Sequence, residues 1–372
     1  MRADGRKKIL VAMSGGVDSS VAAALLLKEG HEVIGAFMKN WSEAADPCSG
    51  DCGWHRERAD AVRTAAHLGI PLETLDFEEQ YRREVVDYMI REYASGRTPN
   101  PDVMCNRMIK FGPFLETARR LHCDAMATGH YARVAVSGGP GVRGSGGAAE
   151  SATYRLLVGV DPNKDQSYFL HRLNQEQLRQ TLFPIGHLLK PQVRELAKEF
   201  GLPNADKKDS QGICFIGKVK LEEFLAGRIE PKPGIIVTVN HEAVGRHDGL
   251  AHFTVGQRHG LGLGGGEPYF VVRKDMATNT LYVARGSDHP ALFSKELVAD
   301  DIHWISGAAP SMPFECQARI RYRQPLQNVT VVAGERPGTL KVAFAVPQRA
   351  VSPGQFCVFY QGDECLGGAV IC

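Results

Sequence analysis

The sequence contains no apolar run of 18 residues, so no segment reads as a membrane-spanning helix. Net charge is also scarce. Lys and Arg number 44 against 42 Asp and Glu, a formal +2, which excludes a globally basic nucleic-acid binder but permits local basic patches. A secretory signal is lacking: the basic N-terminus meets only a short apolar stretch, Ile9 to Met13, that enters a Gly turn and reads as a first strand. The cytoplasm is the expected compartment. There are nine Cys, an odd number; with no export signal they point to thiol chemistry or a metal rather than a disulfide framework. Cys48 and Cys52 lie near His55 but have no matching second pair, so a structural zinc site is not supported. No internal repeat is evident.

What is present in the first half is alternation. Strands are expected at Lys7 to Met13, His31 to Lys39, Leu72 to Phe77 and Asp124 to Ala132. Helices are expected at Val17 to Glu29, Arg56 to Leu68, Glu78 to Tyr93, Arg107 to Leu121, Gln175 to Leu182 and Lys190 to Phe200. This order argues an α/β fold with a doubly wound parallel sheet. The Gly-rich stretch Ser137 to Ser151 separates two strand-like runs and reads as the tip of a hairpin. After about Asp206, short strand patterns alternate with Gly and Pro turns, which implies two smaller β-rich domains, the last a β-barrel. The expected divisions are 1–206, 207–288 and 289–372.

The stretch SGGVDSS, Ser14 to Ser20, follows the first strand and opens a helix. Its glycines let the backbone turn and present N–H groups to an anion, and the helix N-terminus adds partial positive charge. The Lys of the Walker pattern is absent. A loop without it suits the grip of a departing pyrophosphate. Asp18 is the odd member, since a carboxylate repels phosphate unless a metal or hydrogen bond intervenes; a Mg²⁺ bridging the two would resolve this. The plain alternative is a Gly turn with Asp18 capping the first helical turn.

Two cysteines stand in cationic settings. In GRTPNPDVMCNRMIKF, Pro99 and Pro101 bracket Asn100 as a rigid turn, and Asp102 and Cys105 follow near a helix start with Arg107 and Lys110 close in sequence. Such a setting lowers a thiol pKa, and Asp102 is suited to moving protons. In KKDSQGICFIG, two Lys precede Cys214. Either Cys alone reads first as a small buried hydrophobe. The alternating Arg319, Arg321 and Arg323 of RIRYRQ would form one face of a strand, a phosphate-binding stripe.

The loop SGGVDS resembles that of the PP-loop ATP pyrophosphatases. Taken in order, SGGVDS, NPDVMCN, ATGHYA, NKDQSYFL, KKDSQGICFIG, TVGQRHGLGLGG and RYRQP closely resemble the bacterial tRNA-specific 2-thiouridylases over nearly the whole chain. That resemblance implies a PP-loop type of α/β sheet. It implies an enzyme that uses ATP, with Mg²⁺, to replace the C2 oxygen of the wobble uridine by sulfur. Ala12, Met13, Ser14, Gly15, Gly16, Val17, Asp18 and Ser19 would hold the pyrophosphate portion. Met38 would lie by the adenine, and Gly129 would touch the nucleotide. Cys105 matches the nucleophile, Cys214 the carrier of a persulfide, and Asp102 the acid–base group. Asn100, Pro101 and Asp102 match the segment that meets the target base. His130, Lys164, Asp165, Gln166, Arg321, Tyr322 and Gln355 match tRNA contacts. The partners implied are the anticodon stem-loop of tRNA and a sulfur donor, either a sulfur-relay protein or a cysteine desulfurase. An iron–sulfur-dependent tRNA sulfurtransferase and another PP-loop tRNA-modifying enzyme stay open as alternatives.

Overall fold

A computed structural model of the chain describes residues 5–42, 53–137, 152–208 and 221–372. Cys48, Cys52, Cys214 and the Gly-rich 138–151 stretch lie outside them. Five strands form the first sheet: β1 (Lys8–Ala12), β2 (Glu32–Lys39), β3 (Leu72–Asp76), β4 (Ala125–Ala127) and, after the intervening hairpin of β5 (Ala132–Ser137) and β6 (Thr153–Val158), β7 (Thr181–Leu182). The order is β3-β2-β1-β4-β7, with every neighbouring pair parallel. Strand alternation sends β1 side chains to opposite faces. Ile9, Val11 and Met13 pack with Ala23 and Leu26 of helix α1 (Val17–Lys28) and Ala61 and Ala65 of helix α2 (Gly53–Leu68). Leu10 and Ala12 instead join Tyr81, Val86, Phe114 and Leu115 on the other face. The sheet is therefore covered on both sides, as a parallel sheet must be.

Three expectations need correction. Asp124 to Ala132 is not one strand: only Ala125–Ala127 pairs with β1, and Ala132 begins a strand of another sheet. The segment between them, 128–130, leaves the sheet to reach the loop after β1. Gln175 to Leu182 is a helix, Gln175–Arg179, followed by the edge strand β7. Arg107 to Leu121 is broken: a short helix Pro101–Cys105 runs into a π-helical turn Asn106–Lys110, and a new helix Pro113–Arg120 starts at a proline. Pro suits a first helical position because it needs no N–H partner there.

The middle sheet has four strands, β8 (Gly234–Thr238), β9 (Ala243–His247), β10 (Tyr269–Asp275) and β11 (Thr280–Arg285), in the order β10-β11-β8-β9. Ile236, Val271, Leu281 and Val283 form its core. The last sheet contains β12 (Phe293–Trp304), β13 (Phe314–Arg319), β14 (Gln327–Ala333), β15 (Leu340–Arg349), β16 (Phe356–Gln361) and β17 (Glu364–Ile371). Pairing of β12 with both β15 and β17 closes these strands into a barrel. The β5–β6 hairpin is antiparallel, as expected, and β6 adds to this barrel sheet through Leu156 and Leu157 opposite Cys365 and Glu364. The first and last domains thus share a continuous junction.

Candidate active site

The loop after β1 is shaped by close packing. Met13 N–H donates to the Ala36 carbonyl at 2.8 Å, holding the chain in the sheet to its last residue. Gly15 then turns with φ +72, and a Cβ there would run into the Glu57 carbonyl of α2. Gly16 is the N-cap of α1 and makes no side-chain cap. The Ser19 and Ser20 hydroxyls donate to the Gly16 carbonyl at 3.1 and 2.9 Å. Gly16 N lies 3.4 Å from Ser14 Oγ, and among the described residues no N-cap side chain takes the first-turn N–H groups, which is the arrangement of an anion site.

The lysine missing from the loop arrives from elsewhere. Lys190 Nζ lies 2.7 Å from Asp18 Oδ1, and the Tyr131 hydroxyl donates to the same oxygen at 2.8 Å. The Lys190 and Asp18 side chains are 13% and 31% exposed. Lys207 Nζ donates to the Gly15 carbonyl at 3.1 Å and pairs with Asp60 at 2.6 Å. Asn204 Nδ2 donates to Gly15 O at 3.1 Å and to Ser20 Oγ at 2.9 Å. Burial raises the Glu57 carboxyl above its ordinary range, and the Lys207 charge opposes that rise. Sequence reading missed Lys190, Asn204 and Tyr131 here, and it set Lys207 beside Cys214 rather than at this loop. One signal was available: Lys190 opens the helix Lys190–Glu199, where a cation opposes the helix dipole and calls for a partner outside the helix. Lys190 supplies the charge compensation that Asp18 was expected to draw from a metal.

Gly129 approaches the same loop from β4. A Cβ there would lie 2.6 Å from Ser19 N, so only Gly permits the contact. His130 beside it is buried, with Nδ1 2.7 Å from the Thr128 hydroxyl. Burial, helped by the Lys110 charge, holds its pKa well below the usual 6.5, so the ring is neutral at physiological pH. Met38 is buried in the same cluster as Ala12 and Cys105. Ala12, the last residue of β1 before the phosphate loop, thus shares a packed cluster with the Cys105 segment, while the helix that the loop opens packs on the other face of the sheet.

Asn100 caps Pro101–Cys105, its Oδ1 accepting from Val103 N–H at 3.2 Å. Asp102 lies in the first turn, partly exposed. The expected setting of Cys105 requires correction. It ends the short helix rather than starting one, and is fully buried with Val103, Ile109 and Phe111. Arg107 turns away to Asp301 at 3.9 Å. The hydrophobic spacing of the following helix draws the thiol inward. Among the described residues Cys105 forms no disulfide.

The chain matches the tRNA-specific 2-thiouridylase MnmA of Geobacillus thermodenitrificans at 50% identity over 371 residues, covering 100% of this chain and 96% of that protein. The chain belongs to the tRNA-specific 2-thiouridylase family. A second 2-thiouridylase, from Alkaliphilus oremlandii, is 49% identical over 98% of this chain and 96% of its own length. Three domain families match in succession: a tRNA methyl transferase HUP domain at 7–218, a tRNA methyl transferase PRC-barrel domain at 222–285 and an aminomethyltransferase β-barrel domain at 294–371. Among solved structures, a 4-thiouridine synthetase–RNA complex with bound ATP aligns at 17% identity and TM-score 0.36, over 60% of this chain and 50% of that one. A likeness that low carries no argument.

The positions that the 2-thiouridylase resemblance marks for tRNA are of two kinds. Lys164 and Tyr322 are partly exposed, and Tyr322 packs on Phe169 with ring centroids 4.5 Å apart. Asp165 turns inward, 2% exposed, and pairs with Arg319 Nη1 at 2.9 Å while accepting from Gly159 N–H and Ser167 N–H. Gln166 Oε1 accepts from Tyr131 N–H at 3.0 Å. Tyr131 thereby joins the 2-thiouridylase phosphate loop to the 164–166 turn. The expected stripe of three Arg does not form. The strand stops at Arg319, because Ile320 N–H donates to Gln324 Oε1 and Gln324 N–H to Arg321 O, closing a turn. Arg319 points to Asp165, Arg321 donates to Ala350 O at 2.6 Å, and Arg323, with φ +63, donates to Asn163 O at 3.1 Å. A cavity of about 190 Å³, lined by Tyr154, Gln175, Trp304 and Phe314 among others, lies at the other end of the barrel, where β13 begins.

Proposed function

We propose that the chain is a tRNA-uridine 2-sulfurtransferase that uses ATP to exchange the C2 oxygen of the wobble uridine for sulfur. The observation that supports this reading is the phosphate loop itself, where Asp18 meets Lys190 and Tyr131, directly after a strand whose last residue, Ala12, packs in one cluster with Cys105. A carbonyl oxygen is a poor leaving group, and transfer of AMP to it makes one. The loop N–H groups and Lys190 stabilise the negative charge of departing pyrophosphate. Mg²⁺, brought with ATP, supplies further charge neutralisation at the phosphates. Asn100, Pro101 and Asp102 hold the extruded base, which costs little to expose in a single-stranded loop. Lys164, Tyr322 and the solvent-facing Arg323 meet the RNA backbone and neighbouring bases.

The sulfur comes from a persulfide on Cys214, loaded by a sulfur-relay protein or a cysteine desulfurase. Its terminal sulfur attacks C2, the C2–O bond breaks, and AMP leaves with that oxygen. The Cys105 thiolate then attacks Cys214 Sγ. The S–S bond to the base breaks, thiouridine is released, and a Cys105–Cys214 disulfide forms for later reduction. Cys105 is buried as the chain stands, so its helix must shift for this step. The neighbouring π-helical turn supplies a place for such a shift.

The test is an isotope transfer. With ¹⁸O at C2 of the wobble uridine, AMP formed by the wild type should carry the label. Unlabelled AMP alongside turnover would mean that the oxygen is not adenylated.

A further inference from the structure

The segment bearing Asp102 and Cys105 is fastened at its base by the other two domains. Thr98 N–H donates to the Pro353 carbonyl at 2.8 Å. Gln355 Nε2 donates to Thr98 O at 2.9 Å and to Pro99 O at 3.0 Å. Asn100 Nδ2 lies 3.5 Å from Gln355 Oε1. From the middle domain, the Thr254 hydroxyl lies 3.2 Å from that of Thr98. The barrel turn is itself tied there, Ser352 Oγ donating to Val255 O at 3.4 Å. Gly354 has φ +89, and a Cβ on it would lie 2.9 Å from Thr98 N and 3.0 Å from Arg97 Cβ. Between this clamp and the helix stand Pro99 and Pro101, which fix φ and stiffen the connection. A displacement at Thr98 is thus passed on to Asp102 and Cys105.

We infer that Gln355 is a positioning residue for the nucleophile segment and acts through the carbonyls of Thr98 and Pro99. A primary amide has two N–H donors, and both are committed to the chain's own backbone. The barrel turn 352–355 therefore sets where the reacting groups stand, so the β-domains do more than grip tRNA. This inference rests on the reading of Asp102 and Cys105 as reacting groups.

The test compares Gln355→Met, Gln355→Glu and Gly354→Ala in the full-length protein. Three quantities are read: tRNA Kd, thiolation kcat, and the rate of Cys105 alkylation by iodoacetamide without tRNA, followed by peptide mass spectrometry. Met and Glu both remove the donors, so both should lower kcat by about tenfold or more, with tRNA Kd within about twofold of wild type. Cys105 should alkylate several-fold faster as its segment loosens. Gly354→Ala removes no group that RNA could contact, yet should give the same pattern; it also keeps the test alive if a Gln355 variant folds poorly. A tRNA Kd raised about tenfold, most in Gln355→Glu by repulsion from phosphate, with Cys105 alkylation unchanged, would overturn the inference. If the wild type performs no thiolation but Gln355→Met still speeds Cys105 alkylation, the clamp stands and the assigned reaction falls.

Discussion

Replacing Lys190 by Met removes the cation that faces Asp18 while keeping the length and most of the apolar stem of the side chain. The pair is neither open to water nor sealed: its side chains are 13% and 31% exposed. Exposed pairs contribute about 0–1 kcal/mol, and breaking a fully buried one costs about 3–5 kcal/mol. A loss of roughly 2–3 kcal/mol is therefore expected, or about 30- to 150-fold in rate if it is felt at the departing pyrophosphate. The uncompensated Asp18 carboxylate would repel the phosphates in addition. The assay is tRNA-dependent pyrophosphate release across a range of ATP concentrations, with thermal unfolding as the control for folding. Tyr131→Phe deletes the second, neutral donor and should lose only about fivefold. Pyrophosphate release by Lys190→Met within about threefold of wild type would refute the role given to this lysine.

Gly129→Ala places a Cβ 2.6 Å from Ser19 N; because the obstacle is backbone, pyrophosphate release should fall about 100-fold or more, and near-normal release would show the approach to be relaxed. Asp165→Asn and Arg319→Met each break a pair whose side chains are 2% and 14% exposed, so each should cost about 3–5 kcal/mol in urea unfolding, while the double variant should cost less than the sum. Burial lowers Lys274 from its ordinary 10.5 to about 8, with its ammonium on Phe253 O at 2.6 Å. Between those values the unfolded chain binds the extra proton, so stability should rise with pH over that window; Lys274→Met should flatten the rise, and an unchanged slope would exclude Lys274 as its source.

The α/β sheet was legible because its central strands are dense apolar runs, ILVAM above all, each set off by a helix of the right length. What could not be read was pairing between distant segments. The two-residue β7 is too short to leave a periodic signal, and the union of β6 with β17 depends on segments about 200 residues apart. The loop Ser14 to Ser20 was visible as glycines at a strand–helix turn, but its lysine lay hidden 172 positions away. RIRYRQ shows the opposite failure: its alternation is that of a strand, yet Gln324 folds back on Ile320 and sends the three Arg in different directions. Cys105 was identified by resemblance; its burial agrees with the plain reading of a small buried hydrophobe, and it was the cationic helix-start setting that misled. Thr98, an ordinary residue in sequence, matters only because loops of two other domains meet on it.

The central claim is sulfur insertion at the wobble uridine. The most direct test incubates the protein anaerobically with unmodified tRNA, Mg-ATP, a persulfide-generating system and a reductant, and then digests the tRNA for mass spectrometry. The account predicts oxygen-to-sulfur exchange at the wobble uridine by the wild type and none by Cys105→Ser or Cys214→Ser. Pyrophosphate release without exchange in the wild type, or full exchange in either Cys variant, would contradict it.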